Sequence, residues 1–345
     1  MKIEASILNI PFKVVFKHNS ASRSETSTFW VQVTFEGVVG IGEGCPREYV
    51  TGETEQSCLQ FFDRWKEVWM GFSGWSDLEH WAAHHAKEID QNLSAWCAVE
   101  MAFLDAWAQY KNKSVSAFLG VSSKPMVAEY SAILGDASES QWQAMCDWHL
   151  KNEMKNFKLK VNGAVEIDRW RVEYILSKCP EASVRLDANN MWEDFSSVQT
   201  YLNALPAEVF AIEEPLKVPQ WQALNELVSQ SHVRVILDEH VCVLEDLSWI
   251  QYPARMILNI RVSKCGGIIR SIALGRKALD LGMKIIIGAQ VGESSALTRA
   301  GLIVHHALDG EVWGMEGAYG LHLLEEDFFR EHYQFGKAGK LPYQF

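Results

Sequence analysis

Five ionisable residues are spaced almost evenly along the middle of the chain: Lys160, Asp187, Glu213, Asp238 and Lys264. Consecutive members lie 25 to 27 residues apart, and each of them ends or closely follows a short, mostly apolar run. A charged residue at the end of successive strands is typical of a βα-barrel whose strand ends build one active site. Three carboxylates between two lysines could hold a divalent metal ion flanked by two proton carriers.

The three acids are candidate metal ligands, because a packing role does not require a charge at the end of an apolar strand. Carboxylates at the mouths of three adjacent strands would converge, and without a cation among them they would repel each other strongly. Ligation by oxygen alone favours a hard ion, so the sequence predicts Mg²⁺ or, alternatively, Mn²⁺ rather than zinc. Ordinary acids paired with basic side chains are the other interpretation, which the regular spacing disfavours.

Lys158 and Lys160 form a Lys-Leu-Lys motif in which strand alternation places both lysines on one face. Taken alone, this motif also fits a solvated lysine pair. Lys264, on the far side of the carboxylates, makes a catalytic role the better interpretation. A lysine close to a metal ion and another ammonium has its neutral form favoured, so it can act as a base near neutral pH. Two lysines on opposite faces of one carbon would remove a proton from one side and return it from the other.

Two further segments and one acidic residue could bind a ligand. The Cys-Gly-Gly segment 265–267 precedes a helical run, where backbone amides could point at an anion, although a simple strand-to-helix turn fits equally well. Glu293 could bind substrate or orient a lysine, with a capping role at the next helix as the alternative. The Gly-Ile-Gly-Glu-Gly segment 40–44 is similar to half of a dinucleotide-binding motif, but no helix follows it, which favours a tight turn.

The composition supports a large core and excludes several classes of partner. The chain has 345 residues, of which 48% are hydrophobic, and its net charge of −12 argues against nucleic acid and anionic membranes. No apolar run approaches the length of a membrane span, and the N-terminus lacks the core of a signal peptide. Seven scattered cysteines without a C-x-x-C motif predict free thiols and a cytoplasmic location.

The pattern of the chain changes near residue 126. Before this point, alternating apolar and polar residues predict antiparallel strands over 2–10, 28–36 and 38–43. The polar segment Phe16–Ser27 between the first two is predicted to be a covering loop. From residue 126 to about 313, short apolar runs alternate with helical stretches, which predicts a parallel sheet. Seven or eight such units in under 200 residues fit a closed barrel better than an open Rossmann sheet.

The ordered motifs resemble those of the enolase superfamily, and specifically of its muconate-lactonizing-enzyme subgroup, that is, of mandelate racemase/muconate lactonizing enzyme-like proteins. They are K-L-K, R-L-D-A-N-N-M-W, A-I-E-E-P, L-D-E-H and N-I-R-V-S-K-C-G-G, preceded by G-I-G-E-G-C-P and Y-V-T-G-E-T. The resemblance implies an α/β fold in which a modified TIM barrel, (β/α)₇β, over 121–320 carries an N-terminal α+β capping domain over 1–120. The tail over 321–345 would pack back on the capping domain.

The resemblance also implies roles for individual residues. The Mg²⁺ ligands would be Asp187, Glu213 and Asp238. The acid/base residues would be Lys160 and Lys264, with Lys158 tuning the former. The substrate-binding residues would be Lys158, Asn189 and Glu293. The segments Phe16–Ser27 and Pro46–Thr54 would close over the substrate and set specificity.

The reaction step that the resemblance implies is removal of a proton α to a carboxylate, with the metal stabilising an enediolate. Two opposed lysines favour a racemase or epimerase of an amino acid derivative or dipeptide. The alternatives are an o-succinylbenzoate synthase-type dehydratase and a muconate-type cycloisomerase, followed by a non-catalytic binding barrel and by a metal-dependent aldolase or hydrolase. Dipeptide epimerases usually carry Asp-x-Asp near the last strand, where this chain has Glu-Gly-Ala-Tyr-Gly at 316–320, so the substrate is not fixed.

The expected partner is a small-molecule carboxylate, with neither nucleic acid nor membrane. Fourteen tryptophans would also suit the interface of a homo-oligomer.

Overall fold

The computed structural model describes residues 1–18, 21–122 and 124–345, with side chains described outside 14–23. Its first part is a three-stranded antiparallel sheet in the order β1-β2-β3, packed against helices. The strands are β1 (Lys2–His18), β2 (Ala21–Phe35) and β3 (Val38–Gly44). The helices are α1 (Glu48–Thr51), α2 (Glu55–Met70), α3 (Trp75–His84), α4 (Ala86–Ile89), α5 (Leu93–Tyr110) and α6 (Val115–Phe118).

β1 and β2 form a long hairpin that includes the described part of the segment Phe16–Ser27. Phe16 pairs with Arg23, and His18 pairs with Ala21. The prediction of a loop is therefore wrong for these residues, while residues 19 and 20 lie outside the described part of the chain. The polar composition was misleading because ladder hydrogen bonds between two strands satisfy the backbone without an apolar pattern.

β3 lies directly against α5, at a distance that only glycine permits. A Cβ atom on Gly42 would lie 1.9 Å from the carbonyl oxygen of Ala98, and one on Gly40 would lie 2.2 Å from that of Ala102. Glycines two residues apart share one face of a strand, and that face meets the small residues of the helix. The strand predicted over 38–43 is therefore confirmed, whereas the tight turn predicted for residues 40–44 is wrong.

We expect Gly42→Ala to lower the free energy of unfolding by about 1–3 kcal/mol, because the added methyl group must push α5 away from the sheet. Gly135→Ala is the matched control, since nothing lies within 4 Å of a Cβ added there. Chemical denaturation of both variants measures the difference. If Gly42→Ala were as stable as the control, the contact between β3 and α5 would not be as tight as described.

The second part is a parallel sheet of eight strands, which follow one another from β5 to β12. A parallel bridge between Tyr130 and Met315, with a hydrogen bond of 2.9 Å from the Ser131 N–H to the Met315 carbonyl, brings the two edges together. The strands are β5 (Ala132–Leu134), β6 (Asn156–Lys160), β7 (Ser183–Asp187), β8 (Val209–Glu213), β9 (Arg234–Leu237), β10 (Met256–Ile260), β11 (Lys284–Ile287) and β12 (Gly314–Met315). The sheet therefore closes into a barrel.

Helices cover the outside of the barrel between successive strands. They are α7 (Glu139–Lys151), α8 (Val165–Lys178), α9 (Phe195–Asn203), α10 (Trp221–Gln230), α11 (Ile268–Asp280) and α12 (Ser295–Ala307). Two 3₁₀ turns replace a helix between β9 and β10. A short helix, α13 (Gly320–Leu323), follows the last barrel strand. The predicted (β/α)₇β barrel with an N-terminal α+β domain is thus confirmed.

Two buried carboxylates of the N-terminal part bind the amino ends of barrel helices. Glu43 accepts hydrogen bonds from the Ser294 N–H at 3.0 Å and the Ser294 hydroxyl at 2.5 Å, at the start of α12. Glu100 accepts from the Ile269 N–H at 3.1 Å, just after the Cys-Gly-Gly segment 265–267. Burial raises the pKa of Glu100 to about 7. The acceptor near this segment is therefore the carboxyl group of a side chain of the chain itself.

The C-terminal tail contacts both parts of the molecule. Leu324 forms a bridge with Phe12, and Arg330 donates to the two carboxylate oxygens of Asp105 at 2.6 and 2.9 Å. The tail strand β13 (Lys340–Tyr343) pairs with β4 (Met126–Glu129), outside the barrel sheet. The domain boundaries at residues 120 and 320 stay predictions.

None of the described helices is both long and apolar enough to cross a bilayer. Within the described residues, none of the seven cysteines forms a disulfide bond.

Candidate active site

The evenly spaced residues meet at one end of the barrel. Lys160, Asp187 and Glu213 are the last residues of β6, β7 and β8, and Asp238 directly follows β9. Lys264 lies four residues after the end of β10. Parallel strands of a barrel all direct their carboxyl ends to the same mouth, so the regular spacing in sequence becomes proximity in space.

Lys158 is the centre of a buried ion cluster. Its Nζ lies 3.1 Å from Asp187 Oδ2, 2.8 Å from Glu213 Oε2 and 2.9 Å from Glu316 Oε2. Burial disfavours the charged ammonium, but the three carboxylates outweigh burial and raise the pKa of Lys158. Lys158 is therefore held in its charged form.

Arg185 and Glu316 complete this cluster, although neither was predicted from the sequence to have a role there. Nη2 of Arg185 donates to Glu316 Oε1 at 2.7 Å, so both oxygens of Glu316 have a cationic partner. Burial opposes the ionisation of Glu316, but Lys158 and Arg185 lower its pKa to about 2. Arg185 lies two residues before Asp187, so strand alternation alone could have placed it on the inner face.

Asn189 contacts Lys160. Nζ of Lys160 donates to Asn189 Oδ1 at 2.9 Å and to Asp187 Oδ2 at 3.2 Å. The φ of Asn189 is 46°, in the left-handed region that asparagine adopts more readily than most residues. Its N–H donates to Asp187 Oδ1 at 3.2 Å. The predicted contact of Asn189 with substrate stays a prediction.

Lys264 is fully buried and donates to three backbone carbonyls. They belong to Asp238 at 2.5 Å, Val241 at 2.8 Å and Asn259 at 2.9 Å. Its Nζ also lies 3.2 Å from Asp238 Oδ1, whereas the guanidinium of Arg261 contacts Asp238 Oδ2. Three carbonyls match the three N–H groups of an ammonium and fix it beside Asp238.

Glu293 closes a turn in the loop after β11. It accepts a hydrogen bond from the Gln290 N–H at 2.7 Å, and burial raises its pKa to about 8. The N-cap of α12 is Ser294, whose hydroxyl accepts from the Ala296 N–H at 3.1 Å. The alternative that Glu293 caps this helix is therefore wrong. A substrate-binding role for Glu293 stays a prediction.

The carboxylates offer the donor set of a divalent metal site. Glu213 Oε2 and Asp238 Oδ1 are buried and accept no hydrogen bond within the described residues. Ammonium groups lie near them at 2.8 and 3.2 Å without hydrogen-bond geometry. Lone pairs of these oxygens thus remain available to a cation, and oxygen donors suit Mg²⁺.

Positively charged side chains already lie close to the carboxylates of Glu213 and Asp238. In the described part of the chain, no three aspartate, glutamate, histidine or cysteine side chains are arranged so that they could coordinate one metal ion in their present conformations. Lys158 lies between Asp187 and Glu213, and Arg261 contacts Asp238. The carboxylates fit a divalent metal ion by donor chemistry and charge. Metal binding would require the side chains of Lys158 and Arg261 to move away from them.

Known proteins share both parts of this molecule. Residues 141–339 match the family described as enolase C-terminal domain-like, and residues 2–120 match the mandelate racemase / muconate lactonizing enzyme N-terminal domain. An L-amino acid-D/L-Glu epimerase from Sulfurimonas denitrificans is 25% identical over 303 residues, which cover 84% of each chain. An N-succinyl-L-Arg/Lys racemase from Bacillus cereus is 24% identical over 315 residues, which cover 88% of this chain and 84% of the racemase.

A solved structure has the same fold. It is a dipeptide epimerase from Enterococcus faecalis complexed with Mg and the dipeptide L-Leu-L-Tyr, with a TM-score of 0.81, 20% identity, and coverage of 98% of this chain and 95% of the epimerase. Because matches to the two domain families together span most of the sequence, the chain belongs to the mandelate racemase / muconate lactonizing enzyme family of enolase-like proteins.

Proposed function

We propose that the protein is a Mg²⁺-dependent racemase or epimerase of amino acid derivatives whose α-nitrogen is acylated. The proposal rests on one observation, that Lys160 contacts Asp187 and Lys264 contacts Asp238, so that the row of carboxylates lies between two lysines. The relatives support the substrate class. One is a dipeptide epimerase and another is an N-succinyl-L-Arg/Lys racemase. In both kinds of compound, the nitrogen on the carbon that bears the free carboxylate belongs to an amide.

A proton α to a carboxylate leaves only if the charge that develops on the carboxylate oxygens is stabilised. Mg²⁺ held by Asp187, Glu213 and Asp238 would supply this stabilisation when bound. We expect Mn²⁺ at the same site to support the same step. The ammonium of Lys158 would add positive charge on the same side of the site. Both act mainly on the transition state, because the extra negative charge exists only there and beyond.

Lys160 and Lys264 would move the proton. One of the two lysines, as a neutral amine, would accept the Cα proton on its Nζ. The other, as an ammonium, would donate a proton to the opposite face of Cα. The side chain of Lys160 is 15% exposed, whereas that of Lys264 is 0% exposed. Lys264 must therefore turn away from at least one of its three carbonyl partners before it exchanges a proton with a substrate.

β-Elimination is the second candidate, and one observation favours it. The three carbonyls around Lys264 suit a lysine that remains an ammonium beside the developing charge. A dehydratase needs one base and one such cation, so it would use the same residues without transferring a proton to the second face.

Turnover of single enantiomers tests the proposal. We would incubate dipeptides and N-acyl amino acids with the protein and Mg²⁺ and separate the products by chiral chromatography. The expected result is formation of the epimer or enantiomer, lost when EDTA is added. An unsaturated product without any epimer would support elimination instead. Epimer formation that is unaffected by EDTA would contradict the metal dependence.

A further inference from the structure

Arg47 lies where the N-terminal part meets the barrel mouth, and it is only 1% exposed. Its Nη1 donates to the carbonyls of Ser27 at 3.1 Å and Pro46 at 2.7 Å. Its Nη2 donates to Thr26 Oγ1 at 2.8 Å and to the Val291 carbonyl at 2.8 Å. We propose that Arg47 is a positioning residue that fastens β2, the segment before α1 and the loop after β11 over the mouth, and thereby sets substrate affinity.

The loop after β11 is also packed against the hairpin of β1 and β2. A Cβ atom on Gly292 would lie 2.4 Å from the side chain of Thr26. Val291 packs with Ile10 and Phe12 of the hairpin. Glu293, two residues after Val291, belongs to the same loop. Hydrogen bonds from Arg47 therefore act on a contact that joins the hairpin to a loop at the mouth of the barrel.

The four acceptors of Arg47 are neutral oxygens, so their arrangement is what distinguishes this site. A buried cation is costly unless its donors are satisfied, and here the two Nη atoms have four acceptors, while Nε has none among the described residues. The planar guanidinium directs two nitrogens toward separate pairs of acceptors, whereas the single nitrogen of lysine cannot span both pairs. We infer that the shape of the guanidinium, and not its charge alone, holds the three segments together.

The variants Arg47→Lys and Arg47→Met separate the effect of the guanidinium's shape from that of its charge. Lysine keeps the positive charge but not the planar shape, and methionine keeps neither. Both variants are expected to lower kcat/KM by about 10- to 100-fold, mainly through a higher KM, since misplaced covering segments weaken substrate positioning. The free guanidinium ion, added to Arg47→Ala, is expected to restore part of this loss. Wild-type KM in Arg47→Lys would show that charge suffices and would overturn the proposal, as would an unchanged KM in Arg47→Met.

Two further variants keep the test independent of folding defects. Thr26→Val removes one acceptor while preserving shape, so a smaller rise in KM is expected. Arg255→Met is the matched control, because Arg255 also donates to carbonyls, those of Ser231 at 2.6 Å and Val233 at 3.3 Å, at the opposite end of the barrel. Its KM is expected to stay that of the wild type. A rise in KM equal to that of Arg47→Met would indicate a general loss of stability and would count against the proposal.

The measurements of KM rest on the proposed function, whereas a measurement of backbone hydrogen exchange does not. Backbone hydrogen exchange is expected to become faster over residues 24–28 and 289–293 in Arg47→Met and Arg47→Lys, and to stay unchanged there in Arg255→Met. Unchanged exchange in the Arg47 variants would overturn the fastening role whatever the substrate is. Faster exchange without any detectable turnover would keep that role and would count against the proposed function alone.

Discussion

Replacing Lys160 by methionine is expected to lower the exchange of the α-proton on one enantiomer of the substrate by about 10²- to 10⁴-fold, the range for a positioned acid or base. Lys160 ends β6, and its side chain is the more accessible of the two candidate proton carriers. Methionine keeps most of the length of the side chain and removes only its capacity to carry a proton. The rate is measured by mass spectrometry in D₂O with Mg²⁺ present.

Lys155→Met is the matched control for this variant. Lys155 directly precedes β6 at the opposite end of the strand, and its ion pair with Glu181 is solvent-exposed. Exchange should be the same in this control as in the wild type, since surface ion pairs contribute little. If Lys160→Met also exchanged both enantiomers at the wild-type rate, Lys160 would not be a proton carrier.

Asp238→Asn is expected to weaken Mg²⁺ binding by at least about 100-fold, which exceeds the usual loss for an outer-shell residue. The substitution removes one of three negative ligands. It also places an amide in contact with Arg261 and near Lys264, and the N–H groups of that amide cannot accept from them. Calorimetric titration with Mg²⁺ measures the affinity without a substrate, so the result is independent of what the protein turns over.

Asp194→Asn serves as the control for the metal experiment. Asp194 also lies beyond the carboxyl end of a barrel strand, but its oxygens accept from Ser196 and Ser197 and cap α9. Asparagine is an equally good N-cap, so neither the fold nor Mg²⁺ binding should change. Equal Mg²⁺ affinity of Asp238→Asn and Asp194→Asn would show that the metal does not bind between the three carboxylates.

The barrel and its row of charges could be predicted from sequence because both depend on short-range patterns. An apolar run followed by a charged residue identifies each strand and the end that carries chemistry, as at Asp187 and Glu213. The same patterns failed where a partner is distant in sequence. Glu100 binds the start of α11, which lies 169 residues away, and no local feature of either segment indicates the other.

Local composition is misleading at two places in the chain. The polar segment of the hairpin reads as a loop, yet pairing between strands determines its conformation. The strand over 38–43 was predicted correctly, but its glycines also suggested a turn, whereas they permit the close approach of α5. In both cases tertiary contacts override what the residues prefer in isolation. The assembly of several copies, expected from the tryptophan content, stays a prediction.

The central claim is that two lysines act on opposite faces of one carbon. Its most direct test is to incubate each enantiomer of a turned-over substrate separately in D₂O with Mg²⁺ and to measure deuterium at Cα. Exchange is predicted from both enantiomers in the wild type. Lys160→Met and Lys264→Met should each abolish exchange from one enantiomer, and not from the same one. Exchange from only one enantiomer in the wild type would contradict the two-base account.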